Sequence, residues 1–350
     1  MLIYEENVCG GELVKVKHKS NKAVSIVMAV AFGVVAIGAA AYVYKSDRDQ
    51  QHDAKVVSSV ASQVVSDATE SNGNSITDDT MDKALLRRVD FGHLKGENSD
   101  VESWLYVPDT GIDEVVMREP VVNRYKYDLR DWRGRRNSSG TFLFPAEDKD
   151  SNGKLVDDAH QLLLGHRMIN WRGGDWQFSK LPTRWATADG ASNYPYMYLY
   201  YGDHSERWRV YAGVDAWYSD MIYDQPYELG SNKYKSLLTH VHDIARYTIG
   251  DVPDSDTRTL MLSTCNRPNG GALRRFVLVC VPDAQYYYDT EAYFDMKDKA
   301  SYDAWTKGLE KSESEAKAEL DKKALQDSAT FSVTSTSGGS DDNESSSEKK

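Results

Sequence analysis

Residues 259–281 read TLMLSTCNRPNGGALRRFVLVCV, two apolar runs around a polar turn. The first run, Thr259–Cys265, reads as a buried strand that stops at Cys265. Pro268, Gly270 and Gly271 mark the intervening segment as a loop. The second run, Phe276–Val281, reads as a returning strand. If the two are hairpin partners, the end of the first faces the start of the second. A guanidinium from Arg274 or Arg275 then stands beside the Cys265 thiol. Alternation along a strand sends the two arginines to opposite faces, so only one of them can meet the sulfur.

Outward from this pair the same rhythm repeats. WLYVPDTG (104–111), EVVM (114–117), GTFLF (140–144), HQLLLGH (160–166), YMYLYY (196–201) and WRVYAGVDAW (208–217) are short apolar or alternating runs broken by turn signals. That is the pattern of a mainly β fold, a barrel or a sandwich. KYKSLLTHVHDIARYT (233–248) breaks it. Tyr234, Leu237, Leu238, Val241, Ile244 and Ala245 fall on one face and predict a helix inserted in the β domain. MDKALLRRVDFGHLK (81–95) also carries helical spacing. HQLLLGH ends in Gly165-His166, where no aliphatic position is left for His166 to fill. A thiol with an imidazole and a guanidinium nearby suits acyl transfer. The thiolate attacks a carbonyl carbon, the imidazole moves protons, and the guanidinium holds the oxyanion.

At the other end of the chain, residues 23–44 carry no charged side chain. A helix of that length rises about 33 Å, enough to cross a hydrocarbon core of roughly 30 Å. Lys15, Lys17, Lys19 and Lys22 flank its start and place the N-terminus inside the cell, with everything after residue 45 outside. The run exceeds a signal-peptide core, although Ala39–Ala41 would serve as a cleavage site. The expected organisation is a cytoplasmic segment (1–22), a transmembrane anchor (23–44), an extracellular linker (45–80), a catalytic domain (81–285), a charged helical extension (286–327) and a disordered Ser-rich tail (328–350). Lysines and arginines number 42 against 54 carboxylates, a net charge of −12 that argues against a general nucleic-acid binder. Three cysteines are too few for a disulfide scaffold, and Cys9 falls on the cytoplasmic side. Cys280, inside its apolar run, reads as core. No metal-ligand spacing or nucleotide-binding glycine pattern occurs, so no metal or cofactor is expected.

LSTCNRPNGGALRRFVLV resembles the sortase signature, a TLxTC strand followed by an arginine that opens the next strand. LLLGHRM resembles that family's catalytic GH segment, and the match is closest to class B sortases. WLYVPDTGIDEVVM resembles their early strand pair, and the helix at 233–248 their extra helix. The resemblance spans about residues 85–283. It implies a closed eight-stranded β-barrel with peripheral helices behind one N-terminal transmembrane helix. It implies a cell-membrane cysteine transpeptidase with its catalytic domain outside. Such an enzyme cleaves a C-terminal sorting motif on secreted proteins and passes the acyl part to an amine of a cell-wall precursor or a pilin lysine. By motif, Cys265 is the nucleophile, His166 the acid/base and Arg275 the oxyanion-stabilising arginine. Ser263, Thr264 and Asn123 are the substrate-binding candidates. Arg267 stands where some class B members have an acidic residue, and the region beyond residue 286 has no counterpart in the pattern. Two other readings stay open: a papain-like cysteine peptidase, whose cysteine normally starts a helix, and a catalytically silent binding module on the same barrel.

Overall fold

The computed structural model describes residues 35, 37–45, 48, 55–56, 58–66, 82–121, 125–137, 139–146, 159–169, 175–266, 273–298 and 300–308, with further helical residues between 311 and 322. One sheet of ten strands dominates: β1 (Val101–Val107), β2 (Ile112–Arg118), β3 (Phe142–Phe144), β4 (His160–Leu164), β5 (Tyr196–Tyr200), β6 (His204–Trp217), β7 (Ala245–Thr248), β8 (Thr259–Cys265), β9 (Arg274–Tyr287) and β10 (Ala292–Asp295). Their order is β7-β6-β5-β1-β2-β3-β4-β8-β9-β10, and β6 also pairs with β9 along its whole length. That last pairing closes the eight strands from β6 round to β9 into a barrel. β7 and β10 are appended to it. Closure leaves no open edge within the ring.

Why the strands read as almost unbroken apolar runs follows from what covers them. Leu105, Val116, Phe142, Leu163, Leu199, Leu262, Phe276, Leu278 and Cys280 fill the barrel interior. Met261, Val277 and Val279, the intervening residues, are covered on the outside by a helix, Asn232–Ile244, through Tyr234, Leu237, Leu238 and Val241. Burying each of those helical side chains is worth roughly 1.5–3 kcal/mol. Ser231 caps that helix, its hydroxyl accepting the Tyr234 N–H at 3.1 Å. On another flank Trp104, Val115, Met117, Tyr198 and Tyr200 are covered by Leu85, Phe91 and Leu94. Strands buried on both faces lose the alternation that a one-faced sheet shows.

Three sequence expectations shift. The helix expected over 233–248 stops at Ile244, and Ala245–Thr248 leave it in extended backbone to pair with Ala212–Val214. The helical spacing of 81–95 resolves into a turn at 83–86, a short bridge at Arg88–Val89 and a helix at Phe91–Glu97. Asp90 starts that helix by accepting the His93 N–H at 2.9 Å, so its apolar residues are buried without one continuous helix. The charged extension begins as sheet, since Ala292–Asp295 pair with Ala284–Tyr287 before a helix over 300–308. Within the stretch expected as linker, Val60 and Val64 are buried against the domain. Most of the apolar run 23–44 lies outside the described residues, and its described part from 37 to 44 is helical. No helix among the described residues is long and apolar enough to cross a membrane. The tail 328–350, Cys9 and Asn123 also lie outside the described residues.

Candidate active site

β8 pairs with β9 antiparallel, and the register sets Cys265 directly opposite Arg275. Directly opposed residues share a face. Cys265 and Arg275 therefore lie on the side of Met261, Val277 and Val279, the helix-covered outside of the barrel. Arg274 belongs to the other face. Its guanidinium stacks on Trp217 at 4.3 Å, whereas that of Arg275 lies 5.1 Å from the Tyr218 ring. Two adjacent arginines thus rest on two adjacent aromatics, and only Arg275 shares the sulfur's side.

β4 runs parallel to β8 with Leu164 level with Ser263, and the Gly165 N–H extends the ladder to the Ser263 carbonyl at 3.1 Å. Continuing that register brings His166 level with Cys265. Alternation puts His166 on the face of Leu162 and Leu164, again the outside. Gly165 allows the backbone to approach the core this closely. A Cβ there would sit 2.5 Å from the Phe178 ring and 2.7 Å from Phe142. The register thus aims the three motif residues at one face: Cys265 ends β8, Arg275 lies opposite it on β9, and His166 follows β4, where the Arg275 charge reaches it.

His166 does not stand alone. Its Nε2 lies 2.8 Å from the Asp128 carbonyl oxygen and 3.1 Å from the Asp128 carboxylate. That hydrogen bond raises the imidazole above its ordinary pKa, against burial and the Arg275 charge, which lower it. The same bond holds the Asp128 carboxyl below the usual range. Cys265 is a partly buried free thiol. Cys280, fully buried in the barrel, has its thiol pushed far up by burial.

Of the substrate-binding candidates, Ser263 shares the face of Cys265 and is itself buried, its Oγ 2.7 Å from the Tyr223 hydroxyl. Thr264 is turned to the opposite face with Leu260 and Leu262. Its Oγ1 is buried without a hydrogen-bond partner among the described residues, so it is not brought together with the others. Tyr223 in turn packs near Tyr218, ring centroids 5.3 Å apart, which makes a tyrosine wall running from Ser263 to Arg275. Behind the strand end, the Asn266 N–H donates to the Arg274 carbonyl at 2.8 Å and its amide donates to Asp215 at 2.5 Å. Asp215 is paired with Arg246 at 2.6 Å. That network fixes the last rungs of the hairpin that carries Cys265. Sequence reading missed Asp128, Tyr218 and Tyr223. No motif surrounds them, and Asp128 is 38 residues from its partner.

No group of three or more metal-ligating side chains occurs among the described residues. No protein-family model matches the chain, and no curated protein matches it. Solved structures similar to it include sortase B from Bacillus anthracis in complex with AAEK1, at 16% identity over 67% of this chain and 98% of that one, TM-score 0.49. Sortase B from Clostridium perfringens is similar at 19% identity over 55% of this chain and 98% of that one, TM-score 0.45. A Staphylococcus aureus sortase B–substrate complex is similar at 15% identity over 55% and 83%, TM-score 0.44. These neighbours are class B sortases, the family that the two motifs resemble.

Proposed function

We propose that this chain is a sortase-type cysteine transpeptidase. The observation that supports the reading is that Cys265 lies opposite Arg275 in the β8–β9 ladder, with His166 two residues past the last β4–β8 pair and within reach of the Arg275 charge. The Cys265 thiolate adds to the scissile carbonyl of a peptide. The new C–S bond pushes the carbonyl electrons onto oxygen, which the Arg275 guanidinium stabilises. The oxyanion collapses, the C–N bond breaks, and the leaving amine takes a proton from the His166 imidazolium. A thioester remains. An incoming amine adds to it and gives a proton to the neutral imidazole. The C–S bond then breaks to release an amide and restore thiolate and imidazolium. The ion pair thus begins and ends each cycle.

The substrates that fit this chemistry are secreted proteins with a C-terminal sorting motif and an amine of the cell wall or a pilin. An anchor over 23–44 would hold the domain outside the cell membrane beside both. Cys265 ends a strand, so it lacks the helix N-terminus that lowers the thiol pKa in papain-like peptidases.

The test is a peptide library incubated with the chain and a nucleophilic amine, read by mass spectrometry. The expected products are amides, with a thioester trapped at Cys265 and none in Cys265→Ala. Acid product alone would make it a peptidase. No product with any peptide, from folded protein, would make it a silent module.

A further inference from the structure

The loop 125–131 presents Asp128 to His166 and is clamped on both sides of it. The Glu119 carboxylate, itself buried, accepts the backbone N–H groups of Lys126 at 2.8 Å and Tyr127 at 2.9 Å. The fully buried Tyr127 turns its hydroxyl to Asp100 at 2.7 Å, and the Asn98 amide donates to it at 2.7 Å. The Thr141 N–H donates to the Tyr127 carbonyl at 3.1 Å, and the Asn137 N–H to the Leu129 carbonyl at 2.9 Å. Asp128 is therefore held from both sides.

Gly140 supplies the space. Its φ of +61° is one that L side chains rarely adopt. A Cβ there would lie 2.4 Å from the Asp128 carbonyl oxygen and 2.9 Å from His166 Cδ2. Only glycine lets loop backbone and imidazole approach this closely.

A carbonyl oxygen can only accept a hydrogen bond, so the Nε2 atom 2.8 Å from it must carry a proton. In the neutral imidazole the free lone pair is then on Nδ1. We propose that Asp128 is the positioning residue of His166, holding Nε2–H toward the loop so that Nδ1 is the nitrogen that exchanges protons in the reaction. This rests on the transpeptidase reading for its role in turnover. The carboxylate adds a second effect, because a negative charge beside Nε2–H favours the imidazolium that the resting ion pair requires. Among the described residues, the charged groups that act on His166 are Asp128 from the loop and Arg275 from β9, and the β4–β8 register aims it at the face of Cys265. Arg275 opposes the imidazolium and Asp128 favours it. Arg167, next along the chain, reaches toward Asn266.

The test begins without activity. In Cys265→Ala, where no thiol couples to the ring, ¹⁵N NMR titration of His166 reads both its tautomer and its midpoint. The expected neutral form has Nε2 protonated and Nδ1 pyridine-like. Adding Asp128→Asn, which keeps the backbone carbonyl, should lower the midpoint and preserve the tautomer. A neutral ring protonated on Nδ1, or a midpoint that Asp128→Asn leaves in place, overturns the proposal. In the otherwise native chain, Asp128→Asn should lower kcat roughly ten-fold with KM nearly unchanged, since general acid–base catalysis is worth about 10²–10⁴-fold and only part of the positioning is lost. The His166 limb of the pH profile should move to lower pH. Unchanged kcat and limb would also overturn it. An inactive parent whose His166 titrates as expected would instead count against the transpeptidase reading alone.

Discussion

Replacing Arg275 and Arg274 one at a time separates the site from its surroundings. In the register Cys265↔Arg275, the two Cα atoms are about 4.5–5.5 Å apart, so a guanidinium on the sulfur's face reaches a carbonyl under attack. Losing one preorganised oxyanion donor typically costs about 3–4 kcal/mol, a few hundred-fold in rate. Arg275→Ala should therefore lose a few hundred-fold in turnover. Arg275→Lys should recover little, because a point charge does not replace the planar fork. Arg274 rests on Trp217, which is 47% exposed. An exposed cation–π contact is worth about 0.5–1 kcal/mol, so Arg274→Ala should cost that much stability and leave turnover within a few-fold. The assay is amide formation with a fixed peptide and amine, with denaturant midpoints measured alongside. A crippled Arg274→Ala beside a near-normal Arg275→Ala, both folded, would refute the face assignment and put the hairpin register off by one residue.

Cys265→Ala should abolish thioester formation with the fold intact, while Cys280→Ala should keep activity and lose about 1–2 kcal/mol through a small cavity. Alkylation of the native chain should label Cys265 and spare Cys280, and equal labelling would overturn that contrast. Fully buried His160 has its pKa pushed down to about 4 by burial, so between pH 6.5 and 4 the unfolded chain binds a proton that the folded chain refuses. Stability should fall by roughly 3 kcal/mol across that window, and a Tm against pH curve for His160→Gln that keeps the same slope would remove this cause. The raised His166 stabilises fully below the ordinary histidine value and stops doing so as pH rises through its folded value. The lowered Asp128 reports the same pair, so its contribution is present above the ordinary carboxylate range, is lost as pH falls, and ends at the alkaline side once His166 loses its charge. Both are partly exposed, so the parent should exceed Asp128→Asn by under about 1 kcal/mol near pH 5–6 and by nothing near pH 9. Protease added to intact protoplasts should digest the domain and spare residues before 23, and protection of the domain would reverse the proposed orientation.

The strands were readable because burial on both faces turns them into unbroken apolar words such as TLMLS and FVLVC, which the core and the covering helix then explain. Their order round the barrel was not readable. The parallel neighbours β4 and β8 are separated by nearly a hundred residues that hold five other strands and three α-helices. Nothing in either strand's composition names the other. Errors concentrated at helix ends. Ala245 continues the apolar face of its helix, yet β6 offers Ala212–Val214 as partners for an extended chain, and the ladder wins over the periodicity.

The site divides along the same physical line. Cys265 and Arg275 are legible together because a hairpin is local: the loop fixes which ends meet, and alternation halves the choice. His166 is legible because a polar residue closing an aliphatic strand has no packing reason to be there. Asp128 has no such signal. It reaches His166 through the clamps at Glu119 and Tyr127 and through the space that Gly140 leaves, none of which is a spacing in one dimension. Thr264 fails for the opposite reason. It belongs to the motif in sequence, yet a period of two turns it into the barrel while its neighbour Cys265 faces out. Adjacency to Cys265 on a strand is therefore evidence against sharing its face, and the residues that do share it are two positions away or on another strand.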